Sequence, residues 1–257
     1  MSYIHLGPEQ IDRYELQNVV TPPPVGPWHH PYSFADFADR VADSLQVSGL
    51  EVVDEAYGLT HENKRMFGLM TVEPTFEFPE HHDYRMLVGL RGSHDQSIAR
   101  GLVAGQEVTV CSNLCFSGEI NLSTRQTTHI ERRLPGMIHD AVQNLRGVFE
   151  VQDRRNQTYK DTALKPRWAD AAITEMVRRR IINPSHVGKV IKEWDEPSFE
   201  EHNQYGDSVW KLFNGVTQTL KAPLGEHGVP MRMTAPVTAD RTIGLTKFLD
   251  EVVESIH

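Results

Sequence analysis

The residues best suited to chemistry lie between positions 81 and 129. His81-His82-Asp83, His94-Asp95, Cys111, Cys115 and His129 carry the nitrogen, oxygen and sulfur atoms that zinc accepts as ligands. Cys111 and Cys115 have three residues between them, the spacing of a zinc knuckle, but a structural site needs four ligands and usually a second close pair. The expectation is therefore no metal and no cofactor. If a metal were held, His81, His82, His94, Cys111 and Cys115 would be the set that must converge. His81 and His82 read more simply as polar loop residues, and Cys111 as a small buried hydrophobe.

Ser93-His94-Asp95 names the residues of a hydrolase triad, but consecutive residues of an extended chain point to opposite faces. No G-x-S-x-G elbow accompanies them. Phosphate-binding loops are also missing: there is no G-x-x-x-x-G-K-[ST] and no G-x-G-x-x-G. Gly101-Leu102-Val103-Ala104-Gly105 lacks the lysine, and it reads as preceding a strand rather than a helix.

A second chemistry is the grip of a polyanion. Net charge is −9, yet Asn121 to Lys192 holds fourteen Lys/Arg against seven Asp/Glu, a local +7 that leaves −16 on the rest. Arg125, Arg132, Arg133, Arg154, Arg155, Lys160, Lys165 and Arg167 could line a groove for phosphates, with Tyr159 or Trp168 stacking on an unpaired base. Against this, Trp168 suits a helix-packing role. Arg178-Arg179-Arg180 spread over roughly 200° of a helix, so they cannot all face one ligand. A set of solvated helices whose cations pair with acids elsewhere is the plainer account.

These residues need elements to position them. Residues 1–32 are Pro- and Gly-rich, with Pro22-Pro23-Pro24 fixing an extended path, and read as an arm: strapped down through Trp28, His29 and His30, or clasping a second copy in a homo-oligomer. Residues 33–257 read as one α+β domain. Ser33 caps a first helix, with Asp36 at its third position, an apolar face of Phe34, Phe37, Val41 and Leu45, and Gly49 to end it. Residues 50–125 are β-rich: Leu50–Tyr57, Arg65–Val72, Tyr84–Arg91, Glu107–Asn113 and Phe116–Ser123, the last two as a hairpin. From 130 to 257 the period is helical, with one helix entered near Pro135 and faced by Leu134, Ile138, Val142 and Leu145. Others follow around Ile173–Ile181, after Asn183-Pro184, at Val209–Leu220 and at Leu245–Ile256. Strands followed by helices predict a mainly antiparallel sheet packed with C-terminal helices.

Several segments are similar to a known family. Lys64–Gly68, Val88–Ser97, Val110–Glu119, Ser208–Thr217 and Arg241–Asp250 occur in the order and spacing of the phage/plasmid-like family described as domain of unknown function 932, over residues 45–255. The residues that carry the likeness are Arg91, Ser93, His94, Asp95, Ser97, Cys111, Asn113 and Asn214; Gly92 departs from it, since the family usually has Asn there. The resemblance implies a phage or plasmid setting and no particular reaction. Each residue also has a fold-holding role open to it: Asp95 to brace a turn, Asn113 to turn the hairpin, Asn214 to bridge to a loop.

No charged leader, no apolar run near the roughly 20 residues that span a bilayer, and only two cysteines give the expectation of a cytoplasmic chain with reduced thiols. The leading reading is a non-enzymatic protein that binds or anneals single-stranded nucleic acid. The alternatives are a metal-dependent hydrolase or nuclease using His81-His82-Asp83 and His94-Asp95, and an assembly protein acting through protein contacts.

Overall fold

The computed structural model describes residues 4–77, 84–108, 113–221, 223–226 and 230–256, with the backbone alone for residues 4 and 117–121. The architecture is α+β: among the described residues six antiparallel strands lie side by side in chain order, and the C-terminal half is helical. The strands are β1 (Gln10–Ile11), β2 (Leu50–Thr60), β3 (Arg65–Pro74), β4 (Tyr84–Ser93), β5 (Arg100–Val108) and β6 (Asn113–Thr124). The helices are α1 (Arg13–Gln17), α2 (Phe34–Val47), α3 (Ile130–Gln143), α4 (Leu145–Asp161), α5 (Pro166–Arg178), α6 (Val187–Asp195), α7 (Val209–Thr219) and α8 (Ala235–Ile256).

The sheet is apolar on both faces because both are covered. Met66, Met70, Val88, Leu90, Leu102 and Ala104 pack under α2 and α3. Phe67, Leu69, Leu87, Val103 and Phe116 alternate with them and meet Ala235 and Ala239 of α8. A third cluster, helix against helix, joins α4 to α8 and takes in Tyr84 and Cys115 from the strands. Register fixes two ends for this sheet. Tyr84, Val108 and Asn113 share the end that the helical half covers, whereas Thr60, Arg65, Ser93, Arg100 and Thr124 share the other.

Local signals explain most boundaries. Ser33 accepts the Asp36 backbone N–H and starts α2, and Gly49, at φ +77°, stops it where a side chain would be strained. Three boundaries differ from the sequence expectation. Gly101–Gly105 lies inside β5 instead of preceding a strand, because a Cβ at Gly89 or Gly105 would stand 2.8 or 2.7 Å from the Phe116 ring. Those glycines seat an aromatic side chain, so the strand starts seven residues before the Glu107 expected from sequence. α3 begins at Ile130 with Pro135 inside it, and Leu145 belongs to α4, a helix the apolar spacing did not reveal.

Residues 4–32 carry more than extended chain. Asp12 and Glu15 form a reciprocal capping box that starts α1, and Leu6, Leu16, His29 and Tyr32 are buried against the domain while Trp28 is exposed. Arg13 ties this segment to Asp39 of α2 and to Glu55 of β2.

Candidate functional site

At the Ser93 end of the sheet, β4 passes into the loop that carries most of the motif. Ser93 is enclosed: its Oγ accepts the Ile98 N–H at 3.0 Å and donates to the Ile98 carbonyl at 3.1 Å, while Gln126 donates to the Ser93 carbonyl. A hydroxyl engaged in closing its own loop is a fold element, not a free nucleophile. His94 is 3 % exposed, its ring stacked on Phe34 at 3.9 Å, with Nε2 donating to the Tyr32 carbonyl at 3.2 Å. It bonds neither Ser93 nor Asp95, so no triad assembles. Burial, together with the Arg100 charge, pushes the His94 imidazole down to about 4. The ring is neutral near pH 7, and Nδ1 has no partner among the described residues.

Asp95 faces outward and braces the turn. Its carboxylate accepts the Ser97 N–H at 2.9 Å and the Ser97 hydroxyl, and it meets Arg65 at 3.3 Å. Burial works to raise its pKa, but these hydrogen bonds and the Arg65 charge outweigh it and hold the carboxyl well below the ordinary range.

Beside His94 lies Arg100, a residue the sequence did not single out. It is fully buried, donates to the Ser33 carbonyl at 3.2 Å and the Tyr32 carbonyl at 2.5 Å, and forms no ion pair with any described carboxylate. The rings of Tyr32, Phe34 and Phe37 surround its guanidinium at 5.1, 5.9 and 5.0 Å. Arg91, on the same end of β4, lies half-buried against Gly101.

The His94-Asp95 corner forms one wall of an open cleft of about 600 Å³, within the usual range for small-molecule sites. The opposite wall is the N-terminal segment from Glu9 to Val25. The β2–β3 turn closes the third side, and there His61, Glu62 and Asn63 all hold φ near +60°, a run that non-glycine residues adopt at a cost.

The remaining motif residues sit elsewhere. Asn113 opens β6 at the far end of the sheet, fully buried, and its Nδ2 donates to the Asn214 carbonyl at 3.4 Å. The bridge thus runs from Asn113 to the backbone of α7, while the Asn214 amide bonds its own helix at Trp210. Cys115 is buried, and burial pushes its thiol up to about 12. His81, His82, Asp83 and Cys111 lie outside the described residues. The strand that follows the histidine pair, β4, places Tyr84 about 30 Å from Ser93. Among the described residues no group of three His, Cys, Asp or Glu is placed to hold a metal.

The cations do not form a single groove. Arg125, Arg132 and Arg133 are exposed just after β6, at the Ser93 end, where Gln126 bonds Ser93 and Glu131 pairs with His30. Arg154, Arg155, Lys160, Lys165 and Arg167 belong to the other end, where α4 covers Tyr84. Within α4 they diverge: Arg154 points away from the core, Arg155 pairs with Asp250 of α8 at 3.1 Å, and Lys160 tucks over Tyr84, Tyr205 and Trp210. Tyr159 is buried, its hydroxyl 2.7 Å from the Asp250 carboxylate and 3.0 Å from the Thr246 carbonyl, so it cannot stack on a base. Trp168, expected to pack, is 54 % exposed with the Arg167 guanidinium 5.4 Å from its ring. Arg125, Arg132, Arg133, Arg154, Lys165 and Arg167 are without an ion pair among the described residues.

Fold and cleft together define an α+β protein on a six-stranded antiparallel meander with helices on both faces. Compared with known proteins, the chain matches no family model, no curated protein and no solved structure. Among the described residues no helix is long and apolar enough to cross a membrane.

Proposed function

We propose that this chain acts by binding rather than by chemistry, and that it binds single-stranded nucleic acid at the start of α5. The observation that carries this reading is Trp168, an exposed indole with Arg167 beside its ring and Lys165 on the preceding turn. Lys165 and Arg167 are free of carboxylates, so their charges are available to phosphates, and Arg154 adds a third unpaired cation on the outer side of α4. A flat π-face with adjacent cations grips an unpaired base and its backbone without reading sequence. The phage or plasmid setting is supported by the resemblance of the motif segments alone.

The test is fluorescence anisotropy of a labelled oligothymidylate over a range of salt. If Arg154, Lys165 and Arg167 each neutralise one phosphate, log K falls against log salt with a slope of about −2, from roughly 0.7 per contact on a single strand. Trp168→Ala weakens binding by about 1–3 kcal/mol, the worth of one stacked base. No anisotropy change at micromolar protein in low salt, or equal affinity for Trp168→Ala, overturns the proposal.

A further inference from the structure

We infer that the cleft between the N-terminal segment and the β2–β3 and β4–β5 loops is a binding site for an organic cation, a protonated amine or guanidinium carried on an apolar body. This site lies at the opposite end of the sheet from α5 and does not depend on the nucleic-acid reading.

Ile11, Val19, Val25 and Leu59 supply apolar surface. Val25 is 77 % exposed, a state an apolar side chain leaves readily when a ligand covers it. Of the cleft's donors, the Lys64 ammonium is held by Glu62 at 2.9 Å and the Asn18 amide donates to the Tyr14 carbonyl at 3.2 Å, while the exposed Asn63 amide, which can donate or accept, has no partner among the described residues. Among the acceptors, Glu62 holds Lys64 and Asp95 holds Ser97 and Arg65, but two other carboxylates have oxygens to spare. Glu9 has no partner among the described residues, and Glu15 gives only Oε2 to the capping box, leaving Oε1. Four carboxylates, Glu9, Glu15, Glu62 and Asp95, line the cleft together with one ammonium, that of Lys64.

His94 supplies the independent observation. Its ring is almost fully buried, pinned by Phe34 on one face and by the Tyr32 carbonyl at Nε2, and it lines the cleft with Nδ1 unpartnered. With the Nε2 hydrogen committed to Tyr32, Nδ1 is a lone-pair acceptor. A pocket with apolar surface, a lone-pair acceptor and more carboxylates than cations favours a ligand that donates and carries positive charge. An anion of the same shape would meet a wall whose carboxylates outnumber its one ammonium.

The experiment uses the full chain and two probes of matched body and opposite charge, phenethylammonium and phenylacetate, followed by calorimetry and by the His94 ring resonances. The cation is expected to bind in the millimolar range or tighter, as a fragment of that size does, and to shift the His94 signals, while phenylacetate does neither. Val25→Trp, at an exposed position, fills the cleft and abolishes binding. Glu9→Gln weakens it by about fivefold, the loss of one modest charge contact. Absence of cation binding, equal binding of both probes, or unchanged affinity in both variants overturns the inference. Oligonucleotide affinity is expected to be untouched by Val25→Trp, so the two sites fail or stand separately.

Discussion

In the folded chain the His94 imidazole stays neutral down to about pH 4, because burial and the Arg100 charge oppose its protonation. In the unfolded chain it takes up a proton near its ordinary value of 6.5. Between those values the unfolded state binds more protons, so stability is fully present above about 6.5 and falls as pH drops towards 4. His202, also lowered by burial, adds a loss of the same sign. Urea unfolding at about pH 7 and about pH 4.5 is expected to show this loss, and His94→Gln to reduce it by up to about 3 kcal/mol. An undiminished loss in His94→Gln would place the acid sensitivity elsewhere. Arg100 gives a second residue-scale prediction. Arg100→Ala leaves a cavity and strips a donor from two carbonyls, costing about 3 kcal/mol or more, whereas Arg100→Met fills the space without a desolvated charge and costs less than half as much. Equal losses in the two variants, from the same unfolding curves, would mean that the carbonyl contacts dominate. Local roles at this scale were legible, as with Asp95 bracing its turn, but Arg100 was not: it bonds carbonyls more than sixty residues away, which leave no spacing signal, and its buried Nε has no hydrogen-bond partner among the described residues.

Helix α4 shows why apolar periodicity can miss an element. Its core face is Leu145, Phe149, Gln152, Asn156 and Tyr159, and the two amides in the middle break the pattern that marks α2 and α7. Asn156 is legitimate there because β5 supplies a matching partner. Asn156 Nδ2 donates to Gln106 at 2.8 Å, and Gln106 Nε2 donates back at 3.1 Å, in a buried reciprocal pair. Either Gln106→Leu or Asn156→Leu alone leaves a buried amide unpaired, at a cost of about 1–3 kcal/mol. Replacing both is expected to cost less than the sum, with a coupling of about 0.5–3 kcal/mol from a double-mutant cycle of unfolding midpoints. Strict additivity would show the pair to be incidental. The same logic covers β5, where glycines that looked like loop residues make room for Phe116. Elements held by apolar spacing and caps were readable, and those held by a partner distant in sequence were not.

Taken whole, the chain's charge asymmetry was visible as a +7 stretch, but the fold splits that stretch between the two ends of a strand about 30 Å long. The apolar interior does the opposite and joins what the sequence order separates. α8 is the joint: Ala235 and Ala239 pack on the sheet, while Leu245, Leu249 and Val253 enter the helical cluster. Arg155 and Tyr159 of α4 both bond Asp250 of α8, and the Thr242 hydroxyl accepts the Phe116 backbone N–H of β6. With one rigid helix embedded in both clusters, the sheet and the helical half are expected to unfold in one transition. Trp194 and Trp210 report the helical half, provided the exposed Trp28 and Trp168 are replaced by Phe, and the far-ultraviolet signal reports the whole chain. Leu245→Ala removes a fully buried side chain from the helical side of the joint and costs about 2–5 kcal/mol. Its effect distinguishes one cooperative unit from two. A single unit moves the tryptophan and far-ultraviolet midpoints together by the same amount, whereas a helical half that folds alone moves the first ahead of the second.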